Sequence, residues 1–203
     1  MMFALPATTE IKKSLPKKAI YEKFGLKSAQ RDAFDADISR IDIVNVVSPS
    51  TVPGLKEGEY VKEFYVLLVT LKRQHFDEKN ILLLTKLIKQ NMIFALVYND
   101  MVRFAVVHEK FFVVDWELLA DAALPLMGLD LDKVWEYLVT TIGKFEVMEG
   151  VTMEEQIAID GEKLKKIKAI ESLEKKLRVE KQPRKKYELY KQLNELKNED
   201  FSK

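Results

Sequence analysis

Asp42, Glu63 and Lys72 are the residues of this chain whose types and order come nearest to a reactive centre. Metal-dependent nucleases of the restriction-endonuclease type hold carboxylates and a lysine on adjacent strands, so that Mg²⁺ and the attacking water meet at one phosphate. Asp42 lies in the branched run IDIVNVV, Glu63 lies in EYVKEFYVLLVTLKR, and Lys72 ends that second run. The position two before the lysine, where such a site wants an acid, is Thr70. A metal-dependent nuclease-like domain, degenerate or active, therefore stands as an alternative reading and not the leading one.

Other constellations fall sooner. His108-Glu109 lacks the second histidine of a zinc-binding H-E-x-x-H helix, and His75 lies at the end of a candidate strand. The seven serines include no G-x-S-x-G elbow, and Gly54 and Gly58 are not followed by the Gly-Lys-Ser/Thr of a phosphate-cradling loop. The chain has no cysteine, which removes disulfides, thiolate metal sites and a cysteine nucleophile. Trp116, Trp135 and Tyr137 would suit a base-stacking platform, but their helical or strand-end setting reads as core packing. No motif names a reaction, and the expectation is a non-catalytic protein with no cofactor and no metal.

The other place where side chains could act is EKKLRVEKQPRKKYELYKQL, residues 174–193. Its cations Lys175, Lys176, Arg178, Lys181, Arg184, Lys185 and Lys186 could contact phosphates, each contact strengthening as salt falls. Residues 162–203 carry twelve Lys and two Arg against eight acidic residues, a net +6 that leaves −5 on the rest of the chain. Beneath this charge runs an apolar stripe. Leu164, Ile167, Ile170, Leu173 and Leu177 recur at helical spacing, and Leu189, Leu193 and Leu196 continue beyond Pro183. Glu171 can reach Lys175, and Glu174 can reach Arg178, both in the favoured acid-first order.

Pro183 decides how this stretch folds. Inside a continuous helix its ring would clash with the carbonyl of Val179, whereas in a first helical turn it is tolerated. The expectation is two antiparallel helices turning near Gln182-Pro183. One long kinked helix is the alternative, because Gln182 is a poor N-cap. A two-helix hairpin buries little by itself, so its seam should find the body, a second copy or another protein.

The elements that would position these residues follow from periodicity and punctuation. Pro6 and Pro16 make residues 1–18 an extended arm whose Phe3, Leu5 and Ile11 could dock on the body. A short helix over 17–24 stops at Gly25, and a second follows Ser28 as N-cap. Two β-rich runs come next, 41–47 and 59–73, joined by the turn-rich SPSTVPGLKEGE. DEKNILLLTKLIKQ changes to helical period, with Ile81, Leu84, Leu87 and Ile88 at helical spacing and Asp77 or Glu78 favouring its N-terminal end. Asn99-Asp100 between two apolar runs is the mark of a hairpin, and FFVVDW could extend it into a meander. GLDLDKVWEYLVTTIG places Leu131, Val134, Trp135, Leu138 and Ile142 on one helical face between Gly128 and Gly143. This order points to an α+β domain over 1–148, a mainly antiparallel sheet flanked by helices, with residues 149–203 as a charged helical hairpin or coiled-coil appendage.

Composition sets the outer bounds. A chain of 203 residues with 47% hydrophobic content can bury a sizeable core. Its 33 basic residues nearly cancel 32 acidic ones, so any argument for nucleic acid must be local. No segment approaches the roughly 20 apolar residues that span a bilayer, and the expected setting is soluble and cytoplasmic, away from membranes.

The residues also resemble a known family. Leu5-Pro6 with Thr9-Glu10, Pro16-Lys17-Lys18 followed by Tyr21, Gly128-Leu129-Asp130-Leu131-Asp132 leading to Glu136 and Leu138, and the tail Leu173-Glu174-Lys175-Lys176-Leu177-Arg178 then Glu180-Lys181-Gln182 look like the bacterial and archaeal proteins grouped as domain of unknown function 4391. The resemblance runs essentially end to end. It implies no catalytic residues. It does imply an accessory role beside the helicases and DNA methyltransferases of restriction-modification or phage-defence type that family members are often encoded with, and hence one of those as a protein partner. DNA contact through the basic tail and a homo-oligomer remain open beside it. Pro183 departs from the family tail.

Overall fold

The structure is a computed structural model that describes residues 2–198. The chain divides into two compact units, one ending at Glu146 and the other starting at Val147. No described helix is long and apolar enough to cross a membrane.

The first unit is a sheet between helical layers. Its helices are α1 (Lys17–Phe24), α2 (Ser28–Asp37), α3 (Glu78–Leu87) and α4 (Leu131–Gly143). Its strands are β1 (Glu10–Ser14), β2 (Ile38–Val47), β3 (Phe64–Leu71), β4 (Asn91–Tyr98), β5 (Met101–His108), β6 (Lys110–Val113) and β7 (Glu117–Leu118). Among the described residues these seven strands form one sheet in the order β1-β2-β3-β4-β5-β6, with β7 also on β5. The neighbours pair antiparallel except β3 and β4, which run parallel through the α3 crossover.

Burial explains the strand sequences. Met92 through Val97 are all buried because β4 is covered on both faces, so the strand reads as an unbroken apolar run. Ile20, Phe34, Ile81 and Leu84 from α1, α2 and α3 pack with Leu67, Val69, Phe94 and Leu96 on one face. On the other, Trp135 of α4 lies 5.7 Å from Phe64, and Phe3 meets Phe104 edge-on at 5.1 Å. The N-terminal arm docks through its apolar residues, but it is not uniformly extended: 3-10 turns at Met2–Ala4 and Ala7–Thr9 precede β1, which joins the sheet. Phe3 and Leu5 are buried, and the Phe3 carbonyl accepts from Leu124 N at 2.9 Å.

The expected turns hold, with local corrections. Gly25 ends α1 in the left-handed conformation (φ 56°), and Asn99 takes it between β4 and β5 (φ 52°). Ser28 is the first residue of α2 and not its cap: Lys27 occupies the cap position, and its N–H donates to Gln30 Oε1 at 3.0 Å. The left-handed residue after α4 is Lys144 (φ 53°), one beyond Gly143, whose missing side chain makes room for Phe145.

One carboxylate organises the long β2–β3 connection. Asp132 in the first turn of α4 accepts from the backbone N–H groups of Glu59 (2.6 Å), Tyr60 (3.1 Å) and Val61 (2.7 Å). A Cβ at Gly58 would collide with that carboxylate, so only glycine fits there. Lys56 adds a second tie, its N–H on Leu129 O at 3.1 Å and its carbonyl accepting from Leu131 N at 3.0 Å. Burial pushes the Asp132 carboxyl up, but the three donors outweigh it and hold it below its ordinary value of 3.8.

The second unit is a helical hairpin. Thr152 caps α5 (Met153–Val179) reciprocally with Glu155: Glu155 N donates to Thr152 Oγ1 at 3.2 Å and Thr152 N to Glu155 Oε2 at 2.8 Å. Helix α6 (Pro183–Asn198) returns antiparallel along it.

Because Asp132 is depressed in the fold, its contribution is complete above pH 3.8 and is lost as pH falls through the lower folded value. Asp132→Asn should cost about 1–3 kcal/mol in urea unfolding at neutral pH. It should also raise amide exchange at 59–61 and flatten the acid limb of the stability profile.

Candidate partner and nucleic-acid interface

Pro183 opens α6 as its first residue, where its missing N–H costs nothing and its ring meets no preceding turn. The turn before it is closed locally: Gln182 N donates to the side chain of Glu180, the residue that ends α5, at 2.8 Å. Further along, Lys197 Nζ reaches Glu174 Oε1 at 2.8 Å, and this pairing holds the Glu174 carboxyl below its ordinary value. At about 1.5 Å per residue α5 runs to roughly 40 Å and α6 to roughly 24 Å, so α6 lines only the C-terminal part of α5.

This geometry divides the eight-residue seam. Ile170, Leu173 and Leu177 share one face of α5, and Leu189, Leu193 and Leu196 share one face of α6. These six form the inside of the hairpin, with Leu193 only 6% exposed and the others half-buried. Leu164 points to the opposite side of α5 and Ile167 to its flank, and both are exposed. The same logic turns the tyrosines outward. Tyr187 lies opposite the leucine stripe of α6 and is 70% exposed, and Tyr190 lies on its flank.

The turn brings the expected cations to one end. Lys175, Lys176 and Arg178 end α5, Lys181 sits in the turn, and Arg184, Lys185 and Lys186 open α6, all exposed. Arg184 lies 3.6 Å from Glu188. Beside them a groove of about 380 Å³ is lined by the apolar Val179 and Leu189 and by Lys176, Glu180, Lys185, Glu188 and Gln192.

The nuclease constellation does not assemble. Glu63 precedes β3 and Lys72 follows it, about 30 Å apart along a strand rising about 3.3 Å per residue, while Asp42 pairs with Leu68 between them. Each has other work. Asp42 Oδ2 pairs with Arg40 Nε at 2.6 Å, and Glu63 accepts from the Tyr65 hydroxyl at 2.6 Å, which pushes that phenol up to about 12. Among the described residues no three His, Asp or Glu side chains gather as a metal would need. The aromatic residues behave as core: Trp135 is buried, and Trp116 is half-buried under Arg103, 5.2 Å from its ring centre. Tyr137 stands at the surface of α4.

Two polar clusters carry no motif in the sequence. Asp37, 1% exposed, accepts from the Arg73 guanidinium, Asp77 N (2.8 Å) and Asn80 Nδ2 (2.7 Å), tying the end of α2 to the start of α3. Lys17 bonds Asp35 and holds its carboxyl low, while burial and then the Asp35 charge push the Tyr21 hydroxyl above its usual value. Both draw on residues far apart in sequence, and only the end-of-helix position of Asp37 hints at either.

A mainly antiparallel α+β body and a basic helical hairpin define the class of this protein. The chain belongs to the family described as domain of unknown function 4391, whose model matches residues 3–199. No curated protein and no solved structure matches it.

Leu193→Ala should loosen the hairpin by about 2–5 kcal/mol, the range for truncating a buried leucine. Hydrogen exchange at 170–179 should rise while that of β3 and β4 stays as it was.

Proposed function

We propose that this protein is a non-catalytic accessory subunit that docks a helicase or DNA methyltransferase of a restriction-modification or phage-defence assembly through its C-terminal hairpin. The observation that carries the reading is what the hairpin leaves outside. Its leucines close on one another, yet Tyr187, Tyr190, Leu164 and Ile167 remain exposed on helices whose inward faces are already occupied. Large apolar side chains on a rigid scaffold are the anchors that interfaces use, tyrosine foremost. The family resemblance supplies the kind of partner.

Tyr187→Ala with Tyr190→Ala keeps good helix formers on α6. The double variant should fold with wild-type helicity and lose at least about ten-fold in co-purification with the helicase or methyltransferase encoded beside it, the effect of about 1.4 kcal/mol. Undiminished co-purification would remove the docking face from the hairpin.

A second reading rests on the gathering of seven cations at the hairpin end, which suits a duplex backbone. Charge reversal at Arg184, Lys185 and Lys186 should weaken duplex DNA binding uniformly across sequences and flatten its salt dependence by up to about 0.9 per lost phosphate contact. An unchanged salt slope would eliminate this reading.

A further inference from the structure

The parallel pairing of β3 and β4 sets Phe64 opposite Asn91, so the residues entering the two strands lie side by side. Lys62 and Glu63 come from one and Lys89, Gln90 and Asn91 from the other. Together with Tyr60 they line a cavity of about 410 Å³ in the first unit. Tyr60 is the most exposed large apolar side chain among the described residues, at 83%, yet its backbone is pinned. Its own N–H and those on either side all end on Asp132. An exposed ring on a fixed backbone is pre-organised, so a ligand that covers it orders little chain on binding.

The lining says what would cover it. A protein anchor would need aliphatic neighbours to bury against, and the cavity has none besides the ring. Instead it offers one aromatic face, two ammonium groups and two neutral amides with both donors and acceptors. Glu63 is engaged by the Tyr65 hydroxyl, and Lys62 is held by Glu57 (3.2 Å) and the Gly58 carbonyl (2.9 Å). Proteins that hold unpaired bases combine these parts: a ring for the base, cations for the phosphates and amides for the base edge. A duplex keeps its base faces stacked and has none to give.

We propose that this cavity binds a single-stranded nucleic acid, one base stacking on Tyr60, its phosphate meeting Lys89 and its edge facing Gln90 and Asn91. The site lies in the body and does not depend on the hairpin reading.

Fluorescence anisotropy of the full chain with labelled oligo(dT) at low salt tests it. Tyr60→Ala should weaken binding by about ten-fold or more, the size expected for one stacked base, and Tyr60→Phe should keep the affinity within about two-fold. Lys89→Glu should weaken it and lower the salt slope. With Arg184, Lys185 and Lys186 all changed to Glu, the dependence on Tyr60 should persist. Tyr60 and Lys89 are exposed, so these variants leave the fold intact and circular dichroism should match wild type. Three outcomes overturn the proposal: no oligo(dT) binding by the wild type, binding that ignores Tyr60→Ala, or displacement by dTMP at equal concentration, which would assign a free nucleotide instead of a strand.

Discussion

The first unit depends on the parallel contact between β3 and β4. Parallel strands cannot be joined by a tight turn, so the chain must leave the sheet, and α3 is the crossover that brings it back. That helix covers one face of the pair while α4 and the N-terminal arm cover the other, making a two-sided core in which β4 has no polar side chain from Met92 to Val97. The remaining strands attach outward from this centre by antiparallel pairing, through connections that range from the tight turn at Asn99-Asp100 to the excursion that carries α1 and α2. Parallelism also puts both strand entrances at one end. Residues 62–63 and 89–91, distant in sequence, are thereby made neighbours, and the loop pinned by Asp132 sets Tyr60 over them.

In the second unit the decisive constraint is steric. Pro183 cannot continue α5, and in the first turn of α6 it costs nothing. Once the chain turns, six of the eight stripe residues face inward, and the surface is defined by what remains: tyrosines, the exposed aliphatic side chains of α5, Leu164, Ile167 and Val179 among them, and the cations around the turn. A seam expected to serve a partner is mostly used in closing the hairpin. The side chains left exposed are ones that the leucine spacing alone does not single out.

Much of the fold was legible in the sequence because its signals are local. Gly25, Asn99, Asp77 and Pro183 act on their own backbone, and the helix periods of α3 and α4 repeat within a few turns. The misplaced cap at Ser28 is a one-residue error, because its neighbour Lys27 took the cap position. The site was far less legible. Asp42, Glu63 and Lys72 looked related because they sit on consecutive strands, but a strand of eight residues separates Glu63 from Lys72 by its whole length. The carboxylates that do organise the body, Asp37 and Asp132, bind backbone N–H groups and side chains 36 to 73 residues away, and no spacing rule reports that.

The sequence by itself determined the element types, the turn residues, the proline break and the separation of an acidic body from a basic tail, since each is set by side-chain chemistry acting within a few residues. Only the tertiary structure decided which strands are neighbours, which end of the sheet gathers Tyr60 with Lys89, and which face of each C-terminal helix is left uncovered. Those outcomes depend on burial summed over elements distant in sequence, and on the parallel register that burial selects.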